Sequence, residues 1–137
     1  MKKIGSVSEF GSLRDQELWL AYRRAIASTG VVSSDILYEL TASSPASRFW
    51  VSERRASEVM GAMIRGISIS FMSPTRQEMY HELFRRFIDY RAQNPQSSIY
   101  EATFNAVNSP APKFYLTPKS VKVILYKYRA RRKNISR

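Results

Sequence analysis

Residues 44–54 read SPASRFWVSER, and residues 109–119 read SPAPKFYLTPK, so one motif occurs twice at a spacing of 65 positions. Each copy begins with Ser-Pro-Ala and, after one residue that differs, continues with a basic residue, a phenylalanine and a second aromatic residue. The similarity continues into the next apolar positions, which are Ala56, Val59 and Met60 in the first copy and Val121, Ile124 and Leu125 in the second. An internal repeat constrains the fold more strongly than local propensity does. We therefore predict a tandem duplication.

A second block of similarity lies upstream of each motif. Residues 22–26 read YRRAI and residues 84–88 read FRRFI, so a pair of arginines follows an aromatic residue in both copies. The whole chain has 137 residues, of which 44% are apolar. A single copy would be short of hydrophobic core, because small domains bury a small share of their surface. We expect the two copies to pack into one compact domain.

Each copy is predicted to form three helices, which gives an all-α fold of six helices. The first helix of each copy carries apolar residues at helical spacing, and serine or threonine precedes most helix starts as an N-cap. Proline at the first helical position follows Ser73 and Thr117, where its missing N–H costs nothing. The predicted helices are residues 13–28, with Ser12 as the cap, and residues 34–42, 52–65, 74–92, 98–107 and 118–132. The predicted domains are residues 12–66 and 74–131, an extended linker at 67–73 and a flexible basic tail at 132–137.

Charge indicates the kind of partner. The chain has 22 Lys and Arg residues against 11 Asp and Glu residues, which gives a net charge of +11 and a pI near 10.3. Most of this excess lies in the second copy and its tail. A strongly basic balance suits a polyanion such as nucleic acid. It does not by itself distinguish nucleic acid from other acidic partners.

The lead-in and the start of the third helix lie at residues 48–56 in the first copy and at residues 113–121 in the second. Three helices in about 60 residues, with a capped and basic third helix, resemble the helix-turn-helix class of DNA-binding domains. The resemblance implies that the first two helices form a scaffold and that the third lies in the major groove. Two such helices would read sites about 34 Å apart. The turn at residues 43–51 is longer than the motif normally uses.

The candidate nucleic-acid-binding residues fall into three groups. Outward positions of the third and sixth helices are expected to contact bases or phosphates, and these are Arg54, Arg55, Arg65, Lys119, Ser120 and Lys127. The basic end of the sixth helix is expected to follow phosphates, and it contains Arg129, Arg131, Arg132 and Lys133. The twin arginines Arg23-Arg24 and Arg85-Arg86 either clamp phosphates or pair internally with Glu17, Glu82 and Asp89.

Two alternatives stand beside these assignments. A charged helix face is commonly just solvated, so the same faces suit a protein-interaction or assembly adaptor. The aromatic pairs Phe49-Trp50 and Phe114-Tyr115 could stack on single-stranded bases. Aromatic residues beside a proline turn more often anchor that turn in the core, and we favour this second role.

Enzymatic chemistry has little support in the sequence. His81 is the only histidine and cysteine is absent, so no zinc signature forms and no cofactor or metal is expected. No apolar run reaches the length of a membrane span, and no secretory signal follows Met1. We predict a cytoplasmic, non-enzymatic protein that binds double-stranded DNA as a transcriptional regulator or mobile-element accessory factor. RNA or a protein as partner, and a monomer with two pseudo-equivalent units or a weak dimer, stay open.

Overall fold

The computed structural model describes residues 7–30 and 32–135. The described part of the chain contains no strand and six helices, which confirms the all-α prediction. The helices are α1 (Val7–Thr29), α2 (Ser34–Ala42), α3 (Glu53–Ile64), α4 (Pro74–Gln93), α5 (Ile99–Val107) and α6 (Pro118–Ile135).

Short polar residues start five of the helices. The side chain of the N-cap residue accepts a hydrogen bond from the backbone N–H three residues later, which satisfies a donor that the helix leaves unpaired. The caps of α2 to α5 are Ser33, Ser52, Ser73 and Ser98. Thr117 does the same for α6, where the N–H of Ser120 lies 3.1 Å from the threonine hydroxyl. These starts lie where the sequence predicts them.

Two helices are longer than predicted. α1 begins at Val7, so Ser12 lies inside the helix and does not cap it. α6 continues to Ile135, so residues 132–135 of the predicted flexible tail are helical, while Ser136 and Arg137 lie outside the described residues. Adding one residue to an existing helix costs little, and residues 130–133 are alanine, arginine and lysine, which favour helix.

The helices form two compact units, and the helices in each unit are not those of one sequence copy. The α6 unit contains α1, α2 and α6, and the α3 unit is Pro45–Tyr115, with α3, α4 and α5. Within each unit, every helix contacts the other two. The third helix of each copy therefore packs on the first two helices of the other copy, and not within residues 12–66 or 74–131. α3 and α6 carry apolar residues at matching positions. The apolar pattern of either helix therefore fits the first two helices of either copy.

The core of the α6 unit is small and mixes aliphatic side chains with alanine. Leu18 and Ala21 on α1 and Val121 and Leu125 on α6 are all buried, and the two helices contact each other. Leu37 and Ala42 add the contribution of α2. This packing determines which side of α6 faces solvent. Because Val121 and Leu125 point into the core, the basic residues between and after them lie on the exposed side of the helix.

The core of the α3 unit is richer in aromatic residues and includes the phenylalanine of each motif copy. Phe49 is 1% exposed and Phe114 is also buried, so these residues anchor the core, as we favoured. The N–H of Ala46 donates to the carbonyl of Ala111 at 3.0 Å, and the N–H of Ala111 donates back at 2.9 Å. These two alanines occupy equivalent places in the two copies of the motif. The duplication itself stays a prediction from the sequence.

Candidate nucleic-acid interface

α6 carries the densest positive charge in the described chain. Seven basic residues and no acidic residue lie between Pro118 and Ile135. The seven are all exposed, and they are Lys119, Lys122, Lys127, Arg129, Arg131, Arg132 and Lys133. The sequence of the α6 unit has 13 basic and 5 acidic residues, a net charge of +8, against 9 and 6 in the α3 unit, a net charge of +3. The basic excess is thus concentrated in one unit.

Two of the predicted α6 residues have structural roles. Arg131 Nη2 lies 2.7 Å from Oδ2 of Asp15, whose other oxygen lies 2.9 Å from Arg14. Asp15 is only 7% exposed, so this carboxylate ties α6 to α1 within the unit. Ser120 lies 3.0 Å from the Thr117 hydroxyl and belongs to the cap of α6. Arg131 and Ser120 are therefore weaker candidates for partner contacts than the lysines.

A row of four aromatic rings runs through the α6 unit. We call Tyr38, Tyr22, Trp19 and Tyr128 the aromatic row. Successive ring centroids lie 6.1, 5.9 and 5.7 Å apart. These separations are within the range of aromatic pairs that attract each other. The row links α2, α1 and α6, and its rings are only partly buried.

Three arginines surround the Trp19 ring. The guanidinium carbons of Arg23, Arg129 and Arg132 lie 5.9, 5.9 and 5.3 Å from its centroid. Cations within about 6 Å of a tryptophan face are attracted by the ring quadrupole. Trp19 thereby gathers like charges that would otherwise repel each other. The sequence reasoning named all three arginines but missed Trp19, although Trp19 and Arg23 are four residues apart on α1 and so share a helix face.

A groove lies beside the aromatic row in the same unit. Its volume is about 250 Å³, and it is lined by Tyr22, Tyr38, Lys122, Val123, Leu125, Tyr126, Lys127 and Arg129. We call it the tyrosine groove. Tyr126 is 76% exposed, although it is a large aromatic residue. The lining contains three cations and no carboxylate, so the groove favours an anionic ligand.

The predicted residues on α3 lie in a more balanced environment. Arg54 is highly exposed, and its Nε lies 3.9 Å from Glu58. Arg55 lies near Tyr80. Burial raises the pKa of Tyr80, and the positive charge of Arg55 partly offsets that rise. Arg65 follows the last residue of α3 and is exposed. With Glu53 and Glu58 beside its arginines, α3 carries charges of both signs.

Arg85 and Arg86 are engaged in internal contacts within the α3 unit. Both pair with Glu82, and Arg85 also lies 3.4 Å from Asp89. Hydrogen bonds from Arg85, with further help from Arg86, hold the pKa of Glu82 below its usual range. Arg86 also donates to the Ser109 hydroxyl at 2.9 Å and to the carbonyl of Pro110, and its guanidinium carbon lies 4.9 Å from the Phe49 ring centroid. Of the two roles predicted for this pair, internal pairing is the one with observed contacts.

Arg23 and Arg24 have different neighbours. Both are exposed on α1. The positions that match Glu82 and Asp89 hold Leu20 and Ala27, so the first copy lacks these two carboxylates. The Arg23 guanidinium lies near Trp19. Arg23 and Arg24 are therefore accessible to a phosphate, whereas Arg86 is engaged by Glu82 and Ser109.

The part of the chain formed by residues 7–30 and 32–135 has no cluster of three His, Cys, Asp or Glu side chains arranged to hold a metal ion. None of its helices has the length and apolar character needed to cross a membrane. No protein-family model, curated protein or solved structure matches the chain.

Proposed function

We propose that the protein binds double-stranded DNA through the α6 unit, without catalysing a reaction. The observation that carries the proposal is the composition of α6, which has seven exposed basic residues and no acidic residue over Pro118–Ile135. Such a face releases the counterions condensed on DNA when it binds, and this release drives association. The setting that suits a small basic protein is regulation of transcription or accessory work on mobile DNA.

The arrangement of the α6 unit supports this proposal. α1 and α2 both contact α6, as scaffold helices contact a recognition helix in three-helix DNA-binding domains. Lys119, Lys122 and Lys133 share one side of α6 at helical spacing and would meet phosphates as point charges. Arg129 and Arg132, near Trp19, extend the basic surface along the helix. Phosphate contacts position a protein on the duplex, whereas base contacts specify the sequence.

α3 has a secondary place in this proposal. Arg54, Arg55 and Arg65 are exposed and can contact DNA, but Glu53 and Glu58 on the same helix repel phosphates. Arginine can form two hydrogen bonds to one guanine base, whereas lysine meets phosphate as a point charge. We retain a base-contacting role for the arginines of α3 and assign most of the affinity to α6.

An adaptor that binds another protein is the second candidate function. The observation in its favour is an exposed apolar strip at the end of α3 and in the following loop, formed by Ile64, Ile67 and Phe71. Phe71 is 77% exposed, and a groove of about 100 Å³ lies beside it. Apolar surface of this kind commonly marks a protein interface. An interface built on it would respond little to salt.

A duplex titration at two salt concentrations distinguishes the two functions. If about five phosphates are contacted, the affinity for a 25-base-pair duplex should fall roughly 10²–10³-fold between 50 and 200 mM salt. Fluorescence anisotropy of an end-labelled duplex measures this. Affinity that is absent, or that does not depend on salt, would reject DNA binding and favour the adaptor.

Matched triple variants test which unit carries the affinity. Replacing Lys119, Lys122 and Lys133 with alanine removes three charges from α6, and we expect roughly 10²–10³-fold weaker binding at 100 mM salt, with a salt slope smaller by about 3. The control removes the same charge from α3 through alanine at Arg54, Arg55 and Arg65, and should cost less than about tenfold on random DNA. An equal or larger loss in the α3 variant would overturn the assignment to α6.

A further inference from the structure

We propose that the tyrosine groove receives an unpaired base of the bound nucleic acid and that its three cations hold the adjoining phosphates. This inference rests on the proposed function, because it assumes that a strand already lies along α6. It names a subsite for single-stranded DNA at a junction between paired and unpaired strand.

The size of the groove limits what can enter it. Pockets for drug-sized ligands measure about 300–1,000 Å³. The tyrosine groove, at about 250 Å³, falls just below this range. It therefore suits one ring system with its substituents, as in a nucleobase, and not an extended cofactor.

Three aromatic side chains, Tyr22, Tyr38 and Tyr126, line the groove. Tyr22 and Tyr38 are nearly parallel, at an angle of 21° between their planes, and Leu125 lies beside them. Tyr126 lines the groove and is 76% exposed, so its apolar ring has little contact with the protein. Every base has an aromatic face, and a stacked base contributes about 1–3 kcal/mol by alanine substitution. An exposed tyrosine beside a groove with aromatic walls is suited to closing over such a base.

The charges of the groove select the class of ligand. Lys122, Lys127 and Arg129 line it, and none of the lining residues is acidic. An aromatic ligand that carries negative charge satisfies both parts of this lining, and a nucleotide is such a ligand. The remaining cations of α6 extend the positive surface beyond the groove, which favours a polymer over a free nucleotide.

Arg129 provides continuity between the groove and the rest of the basic surface. Its side chain lines the groove, and its guanidinium carbon also lies 5.9 Å from the Trp19 centroid. Arg23 and Arg132 approach the same ring. A strand that leaves the groove at Arg129 therefore meets two more guanidinium groups, which are suited to its next phosphates.

The test compares a fully paired duplex with the same duplex extended by a one-nucleotide 3′ overhang. Anisotropy titrations of the full chain should show roughly 5–150-fold tighter binding to the overhang, as expected for one stacked base. An overhang with an abasic site adds the same phosphate without a base, and should show only the smaller gain that one phosphate contact provides. Tyr126→Ala should reduce the gain of the full overhang to that of the abasic overhang and leave paired-duplex affinity within about twofold, while Tyr126→Phe should retain the gain. Phe71→Ala, which removes an equally exposed aromatic residue from the α3 unit, should change neither.

The outcomes separate this inference from the proposed function. Tight duplex binding with no gain from the overhang would overturn the base subsite and leave duplex binding intact. A gain that the abasic overhang reproduces would also overturn it, because the phosphate alone would then explain the effect. Thymidine monophosphate that binds as tightly as the overhang would show that the groove takes a free nucleotide, against our assignment. If neither DNA binds, duplex binding itself fails.

Discussion

The two twin-arginine pairs have the same sequence context but different neighbours. On α4, Arg85 and Arg86 share the carboxylate of Glu82, and Arg86 also contacts the second motif copy. On α1, Arg23 and Arg24 are exposed, and the carboxylate positions of α4 are replaced by apolar residues. An arginine that is satisfied internally stabilises the fold, whereas an exposed arginine is available to a partner. The neighbours, and not the residue type, determine which role each pair has.

The same difference holds for the units as a whole. The α3 unit has a net charge of +3 and uses several arginines in ion pairs, hydrogen bonds and ring contacts within its own structure. The α6 unit has a net charge of +8, and its third helix contributes no carboxylate. We therefore expect substitutions in the α3 unit to affect mainly stability, and substitutions in the α6 unit to affect mainly binding.

Phe49→Ala should produce the largest effect on the stability side of this comparison. Phe49 is fully buried in the α3 unit, its ring lies 5.8 Å from that of Tyr115, and Arg86 lies over its face. Truncating a buried phenylalanine costs about 3–5 kcal/mol, because it removes contacts and leaves a cavity. Urea denaturation should show this loss, while Tyr126→Ala on α6 should cost less than about 0.5 kcal/mol. A cost for Phe49→Ala below about 1 kcal/mol would contradict its role as a core anchor.

Replacing one arginine of each pair with alanine, at matching positions, tests the comparison directly. Arg86→Ala should lower the free energy of unfolding by about 1–3 kcal/mol, because Glu82, Ser109 and the Pro110 carbonyl lose a charged partner. Arg24→Ala, at the matching position, should change stability by less than about 0.5 kcal/mol. In duplex titrations the order should reverse, with Arg24→Ala losing up to about tenfold in affinity at low salt. Equal effects of the two variants in both assays would remove the distinction between the pairs.

The helix starts of α2 to α5 could be predicted from the sequence, because a helix cap depends on residues within one turn of it. Ser33, Ser52, Ser73 and Ser98 cap helices where a short polar residue precedes an apolar period. Gly30 follows α1 with a positive φ of 71°, which a glycine adopts without strain. The start of α1 was predicted wrongly, since Ser12 satisfies the cap pattern but lies within a helix that had already begun at Val7.

The grouping of the helices could not be predicted in the same way. Val59 and Met60 on α3 match Ile124 and Leu125 on α6, so the apolar pattern of either helix fits either pair of scaffold helices. The choice depends on how the chain crosses between helices, which periodicity does not encode. The cluster of arginines around Trp19 depends on that choice, because Arg129 and Arg132 reach α1 only when α6 packs on it. The candidate residues were thus named from charge, but their arrangement required the tertiary structure.

Asp15→Asn should have a smaller effect, and it should act on both properties of the α6 unit. The buried carboxylate of Asp15 holds Arg131 at 2.7 Å and Arg14 at 2.9 Å. Replacing it with a neutral amide should cost about 1 kcal/mol of stability, because two charge-assisted contacts are weakened. The released arginine should increase duplex affinity several-fold at low salt. Titration at 50 mM salt with parallel urea denaturation measures both, and a loss of affinity without a loss of stability would contradict this role for Asp15.

The smallest expected effect concerns Glu82 and the pH dependence of the α3 unit. Hydrogen bonds from Arg85 and Arg86 lower the pKa of Glu82 in the folded protein, so its ionised form is favoured by folding. A carboxyl with a lowered folded pKa stabilises the protein above its unfolded pKa, and this contribution is lost as the pH falls through the folded value. Since the group is partly exposed, the contribution should be below about 1 kcal/mol. Glu82→Gln should therefore be slightly less stable than the native chain at pH 7, and the difference should shrink towards pH 3. If the difference in unfolding free energy between the two proteins is the same at pH 7 and at pH 3, the charge of Glu82 does not contribute to stability. The position of Arg86 would then depend on its contacts with Ser109, Pro110 and Phe49.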